Sequence, residues 1–446
     1  MGSGKGGAGQ GKSQGKGPDK AQKSLKIAEV PGMFAAILAV PFLMVLGNSM
    51  IIPVFPKIQS VLGVSRLHVG LLITLFSVPA GIFIPFAGFL SDRVGRKAVI
   101  APSILAYGLG GLIAGTAALL LENPYWTIIG GRVLQGLGAA GMSPVTMALV
   151  GDLFTGTQRG TALGVLEASN AFGKVASPIL GSIVALLAWW APFYLYGVLS
   201  IPLAAAIWFL VKEPPIAKQA PALGKYYQVL KKVMATRGLA LVAAFFAGMV
   251  VLYVLFGTLF YLSEFLEKRY HMAGVMKGVG LAAPVAALSL VSFLTGRYLQ
   301  SMKKRHLLVA GGLVVAAAGL LLIGVIRNTV VFFSAVVVMG LGSGFVLPTL
   351  NNLITSSVAT EERGIVTAVY GSVRFFGVAL GPPLFGMLLK SGRFLPFATS
   401  AGVALLAAFA SFLWLGGLVG TRSRQAENEQ AGKGNDDAGG GSGNYE

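Results

Sequence analysis

GFLSDRVGRK, Gly88 to Lys97, packs one acid and three cations into a tight turn between two apolar segments, each long enough to cross a bilayer as helix. Hydropathy alone marks a membrane-spanning chain without separating one class from another. This loop separates them. Gly88 and Gly95 permit close backbone approach, and Asp92 can sit at a neighbouring helix N-terminus, where free N–H groups favour negative charge. Arg93, Arg96 and Lys97 can neutralise Asp92 and grip lipid phosphates. A plain positive loop needs the cations but not the spaced glycines and aspartate.

Composition extends that reading to the whole chain. The 446 residues are 55% hydrophobic and 11% charged, with a mean hydropathy of +0.75. A soluble domain of this size carries about 25% charged residues. The apolar residues come in runs that predict twelve spans: 33–54, 69–90, 98–120, 126–148, 161–185, 192–211, 238–262, 274–296, 307–326, 330–353, 364–389 and 394–419. The expected fold is an all-α membrane protein of twelve helices in two pseudo-symmetric six-helix bundles.

The net charge of +19 does not point to nucleic acid. Most of the Lys and Arg residues fall in the two tails and in alternate loops, which puts both termini in the cytoplasm. Trp126, Trp189 and Trp190 lie near the predicted outer interface and Trp208 near the inner one, as an aromatic belt requires. Cysteine is absent and the three histidines, His68, His271 and His306, are scattered, so no metal or other cofactor is expected. Gly6 to Ser13, GGAGQGKS, fits a phosphate-loop pattern, but no strand precedes it and no helical pattern follows. Residues 1–32 and 421–446 read as polar cytoplasmic tails without a fold of their own.

The chain divides six plus six. Residues 33–211 form one expected bundle and 238–420 the other. Between them, 212–237 is a cytoplasmic linker in which Tyr226, Leu230, Val233 and Met234 share a helical face. That pattern fits a helix lying on the inner leaflet, and equally a solvated connection. The halves are related at a constant offset of 204 residues. GLG recurs at 136–138 and 340–342, and Pro144 pairs with Pro348. Arg159-Gly160 pairs with Arg363-Gly364, Phe172-Gly173 with Phe376-Gly377, and Pro178 with Pro382. Two repeated halves of parallel orientation are what a rocking transporter is built from.

These features resemble the major facilitator superfamily, along nearly all of residues 33–420. Gly88, Leu90, Asp92, Arg93, Gly95, Arg96 and Lys97 match its loop 2–3 motif, which in the family latches one conformation. The second-half copy, GRYLQSMKKRH from Gly296 to His306, lacks the acid. Arg132, Gln135, Gly136, Gly138 and Ala140 in span 4 resemble the segment whose embedded arginine the family implicates in proton coupling. Gly164, Gly173, Ser177, Pro178, Gly181 and Ser182 in span 5 are similar to the glycine-rich pattern of its antiporters, with Ser177 and Ser182 standing where that pattern has glycine. The resemblance implies a drug:proton antiporter-like transporter and no enzyme.

Charges inside the spans supply candidate site residues. Glu167 is the acid well within a span, with Lys174 about two turns on along the same face. Arg132 and Arg374 are the other embedded charges. A charge at that depth needs a partner or a water-filled path. Glu167 is therefore a candidate proton carrier with Arg132, or else one half of a structural pair with Lys174 or Arg374. Asn48, Lys174, Tyr253, Phe256 and Arg374 are candidate cavity residues. The expected function is proton-driven export of small lipophilic or drug-like molecules by a monomer whose partners are substrate, protons and membrane lipid. The excess of buried cations over acids also fits an organic anion or amphiphilic lipid as substrate. A non-transporting sensor would need a signalling domain, which neither tail resembles.

Overall fold

The computed structural model describes residue 2 and residues 27–213, 223–299, 302, 304–326, 328–359 and 362–419. The phosphate-loop pattern, nearly all of the tails and residues 214–222 of the linker lie outside the described residues. Among the described residues there is no strand, and twelve long helices account for the fold. They are α1 (Pro31–Ser49), α2 (Arg66–Val94), α3 (Arg96–Leu120), α4 (Tyr125–Ala140, resumed as Ser143–Leu153), α5 (Gly156–Val184) and α6 (Ala191–Leu210). The second set is α7 (Leu223–Tyr270), α8 (Gly274–Leu294), α9 (Arg305–Val325), α10 (Thr329–Ser357), α11 (Arg363–Leu388) and α12 (Phe394–Trp414).

Helix is the form these apolar runs must take in lipid, where each backbone group has to be satisfied within its own segment. Ends are fixed locally. Ser65 accepts from the backbone N–H of His68 at the start of α2, and Asn328 accepts from Val330 and Val331 at the start of α10. Eleven stretches are long and apolar enough to cross a membrane. The twelfth long helix, α5, is 29 residues and carries Arg159, Glu167 and Lys174, so its composition is too polar for that class.

The packing repeats in the two halves. In the first, α1 packs on α5 and α6, α2 on α4, and α3 on α4 and α6. In the second, α7 packs on α11 and α12, α8 on α10, and α9 on α10 and α12, the same set six helices later. The halves join through α2 on α11 and α5 on α8, two pairs that a twofold exchange converts into each other. The GLG repeats explain part of this. A Cβ on Gly136 would lie 2.1 Å from the Phe76 carbonyl oxygen of α2, and one on Gly340 would lie 2.3 Å from the Pro284 oxygen of α8. Only glycine lets these helices approach so closely.

Two boundaries differ from the sequence pattern. Span 7 is expected to begin at residue 238, but α7 runs 48 residues from Leu223, with Arg237 alone out of helical geometry (φ −137°, ψ 17°). The helical part of the linker is thus joined to α7 through one kink. Span 4 is interrupted at Gly141–Met142 and continues to Leu153.

Candidate functional site

With twelve helices running in alternation, the start of α1, the end of α12 and the loop containing Gly88–Lys97 lie at one end of the bundle, here the terminal end. At the opposite, far end the halves are tightly joined. Along α2 and α11, a Cβ on Gly70 would lie 2.8 Å from the Pro383 nitrogen, Thr74 Oγ1 donates to the Ala379 carbonyl at 2.6 Å, and Ser372 Oγ donates to the Gly81 carbonyl. Along α5 and α8, Gly278 sits against Pro178 and Ile179. Polar groups finish the seam. Arg66 holds the Glu264 carboxylate through Nε at 2.8 Å and Nη2 at 2.5 Å, with Lys268 Nζ on the same carboxylate at 2.8 Å. Ser263 Oγ donates to the Ile52 carbonyl, and Lys277 Nζ donates to the Pro53 carbonyl and to Glu267.

Toward the terminal end one face of α5 and one face of α11 open, while their other faces stay packed on α1 and α7. Gly173 and Gly377, a repeat pair, pack against α1 and α7 respectively, where a Cβ on Gly377 would lie 2.1 Å from the Met249 oxygen. Gly160 and Gly364, another repeat pair, have nothing within 4 Å of an added Cβ, nor do Gly164 and Gly371. Three charged residues stand where this opening begins. Glu167 is exposed, while Lys174 and Arg374 are half-buried. Lys174 of the first half is within electrostatic reach of both Glu167 and Arg374 of the second. Among the described residues none of the three makes a hydrogen bond or an ion pair, so neither the Glu167–Lys174 nor the Glu167–Arg374 bridge is formed. Arg374 Nε is buried without a partner, and its guanidinium lies 5.4 Å from the Tyr370 ring.

Arg132 is placed differently. It is fully buried, with Nε donating to the Leu72 carbonyl at 2.9 Å and Nη1 to the Gly47 carbonyl at 2.8 Å and to Gln135. Its guanidinium covers the Phe76 ring at 4.5 Å. This side chain ties α1, α2 and α4 together and stands inside the first bundle, apart from Glu167. Among the expected cavity residues, Tyr253 also turns inward, to Ser400 Oγ at 2.9 Å and the Phe385 ring. Phe256 is buried, and Asn48 is buried with Oδ1 unpartnered. Lys174 and Arg374 are thus the cavity candidates that the fold brings together across the two halves.

The Gly88–Lys97 loop is organised by Asp92 and by two acids the sequence pattern did not single out, Asp152 and Glu213. Arg96 bridges Asp92 and Asp152, the latter at 3.0 Å. Glu213, just after α6, accepts from the backbone N–H groups of Arg96 and Lys97 and so caps α3. Gly95 has φ +104°, and a Cβ there would lie 3.0 Å from Glu213 Oε2. Arg93 lies over Phe89 and Lys97 over Trp208. Asp152 and Glu213 end spans on the same side as the cationic loop, the one signal that would have found them. In α5, Ser177 Oγ donates to the Gly173 carbonyl, Gly181 packs on the Met50 oxygen and Pro178 faces Gly278. The expected antiporter-type stretch therefore seats α5 against α1 and α8.

Residues 37–382 match the family model described as Major Facilitator Superfamily. The chain belongs to that superfamily. It is a multi-pass membrane transporter and not an enzyme. It is 39% identical over 84% of its length to the bacillibactin exporter of Bacillus subtilis, covering 94% of that protein. It is 23% identical over 87% of its length to multidrug resistance protein 2 of the same organism, covering 96% of it. Among solved structures, a bacterial homolog of the human lysosomal transporter Spinster, in an inward-facing and occupied conformation, superposes with a TM-score of 0.68. That match has 17% identity and covers 85% of this chain and 95% of the other. The fold of this superfamily member is thereby placed among known transporters.

Proposed function

We propose that this transporter exports small molecules across the cytoplasmic membrane by alternating access, driven by protons, with both termini in the cytoplasm. The excess of Lys and Arg on the terminal side supports that orientation. The far end is then the outer face, and the structure is the state open toward the cytoplasm. The observation that carries the reading is the division of the seam between the halves. Hydrogen bonds and ion pairs close it at the outer end, and unpaired Glu167, Lys174 and Arg374 stand where it opens. Two relatives are named for export and drug resistance, which supports outward transport.

Glu167 is the group proposed to carry the proton. It is exposed on the open stretch of α5, has no fixed partner and lies within reach of Lys174. Protonation there changes the charge facing Lys174 and the transported molecule together. A proton crossing with the membrane potential supplies about 2.3 kcal/mol per 100 mV. Arg132, with its set of carbonyl partners, acts in this scheme as a brace that keeps the first bundle rigid as it tilts.

The test is uptake of bacillibactin and of a drug-like dye into everted vesicles carrying the purified, reconstituted protein. An acidic lumen should drive uptake, and dissipating the pH gradient should stop it. Glu167→Gln should cut gradient-driven uptake by roughly tenfold or more, a ratio worth 1.36 kcal/mol. Counterflow without a gradient should persist in that variant. Uptake indifferent to the gradient in wild type sinks proton coupling, and normal driven uptake by Glu167→Gln sinks the assignment of Glu167.

A further inference from the structure

We propose that Lys174 and Arg374 form a two-point clamp for an acidic oxygen group on the transported molecule, so that this carrier moves organic anions. The proposal rests on the transport reading above and names the substrate class of that same site. Three observations carry it. The two cations come from opposite halves, α5 and α11, the helices that exchange under the internal twofold. They stand within electrostatic reach of each other, yet neither is paired with an acid. Arg374 Nε is buried and unpartnered.

Two other arginines in or beside the spans show what a structural role looks like. Arg132 donates to the carbonyls of Leu72 and Gly47, and Arg393 donates to those of Ile323 and Ile326. Among the described residues Arg374 has no carbonyl and no carboxylate partner. A guanidinium presents its donors in a planar fork that matches a carboxylate or phosphate oxygen pair, and an ammonium adds a compact second charge. Glu167 lies within electrostatic reach of Lys174 but touches neither cation, and one acid cannot balance two. Like charges across the divide favour separated halves while the site is empty. An anion bound between them replaces that repulsion with attraction to each half. The occupant that satisfies the site thus also draws the open end together, which is the movement that transport requires.

Carboxylate, phenolate and phosphate oxygens share the needed chemistry, and the phosphate of a lipid headgroup is a second source of it. The experiment therefore compares probes in proteoliposomes of pure phosphatidylcholine. The probes are carboxyfluorescein, rhodamine 6G, bacillibactin and a fluorescent short-chain phosphatidylglycerol. Each is measured for wild type, Lys174→Ala, Arg374→Ala and Arg374→Lys. Lys57→Ala serves as a control that removes an exposed charge away from the site.

The ratio of carboxyfluorescein to rhodamine 6G flux should fall roughly tenfold or more in each alanine variant, with Arg374→Lys intermediate and Lys57→Ala at the wild-type ratio. Using the ratio cancels any loss of folded protein. Movement of the labelled lipid with the same dependence on both residues, and no flux of carboxyfluorescein, would keep the clamp and make its anion a headgroup. An unchanged ratio in both alanine variants, in protein that still transports, overturns the clamp while leaving the transport reading intact. Wild-type protein that moves none of the four probes overturns both.

Discussion

Arg132 and Arg374 are the same side chain inside the spans of two related halves, and they live under opposite conditions. Arg132 is sealed in the first bundle, with two backbone carbonyls and Gln135 as acceptors. Arg374 stands at the seam between the halves with no acceptor among the described residues. The cost of an embedded charge is met by the fold in one case and left open in the other. An embedded position alone is therefore a poor guide to role. The partner set is the better one: an arginine that donates to backbone carbonyls of neighbouring helices holds them together, and one without such acceptors awaits a ligand.

The two arginines should differ most in their effect on stability. Arg132→Ala should destabilise the purified protein by roughly 3 kcal/mol, because buried acceptors on α1 and α2 lose their charged donor. Arg374→Ala should stay within about 1 kcal/mol of wild type, because it gives up only the contact with the Tyr370 ring. Denaturation in detergent, followed by tryptophan fluorescence, measures both. Equal losses in the two variants would erase the distinction drawn here.

The next effect concerns the outer seam. Glu264→Gln removes the charge shared by Arg66 and Lys268 and should shift the balance toward outward opening by about 1–3 kcal/mol. The chain contains no cysteine, so introduced thiols are unique labelling sites. Spin labels at Val61 and Met276, both exposed and one in each half, should report a longer separation in the variant. An unchanged distance distribution would show that the apolar seam of α2 on α11 closes this end unaided.

Smaller still is the loop at the other end. Glu213→Gln keeps the hydrogen-bond acceptor over α3 but removes its charge. It should cost about 0.5–1 kcal/mol of stability at low salt, fading as salt is added. Gly95→Ala should cost more than Glu213→Gln, because its φ of +104° and the approach of Glu213 both oppose a Cβ. Denaturation at two ionic strengths separates them, since only the charge effect is screened.

Much of the architecture is written in local pattern. The twelve runs, the loop at Gly88–Lys97 and the 204-residue repeat are visible because hydropathy and glycine placement are local properties. The repeat also identified the close-packed pairs, Gly136 with Gly340 and Gly173 with Gly377. What resisted was partnership across long separations. Tyr253 has the spacing of a cavity aromatic, yet its hydroxyl meets Ser400, and nothing in either segment announces the other. Glu213 reads as the start of a linker and is the cap of α3. Glu167 and Lys174 suggest an intrahelical pair by spacing alone. At seven residues their separation exceeds the three or four that bring helical side chains together, and the structure leaves them apart.

The kink at Arg237 has a practical consequence. Helix continues on both sides of it, so the stretch before it is a lever fixed to the second bundle. Gln228 is exposed on that lever. A fluorophore or antibody fragment mounted there would swing with one bundle alone and magnify small rotations into large displacements. Turnover could then be watched from outside the translocation path, without altering a residue that the cargo touches.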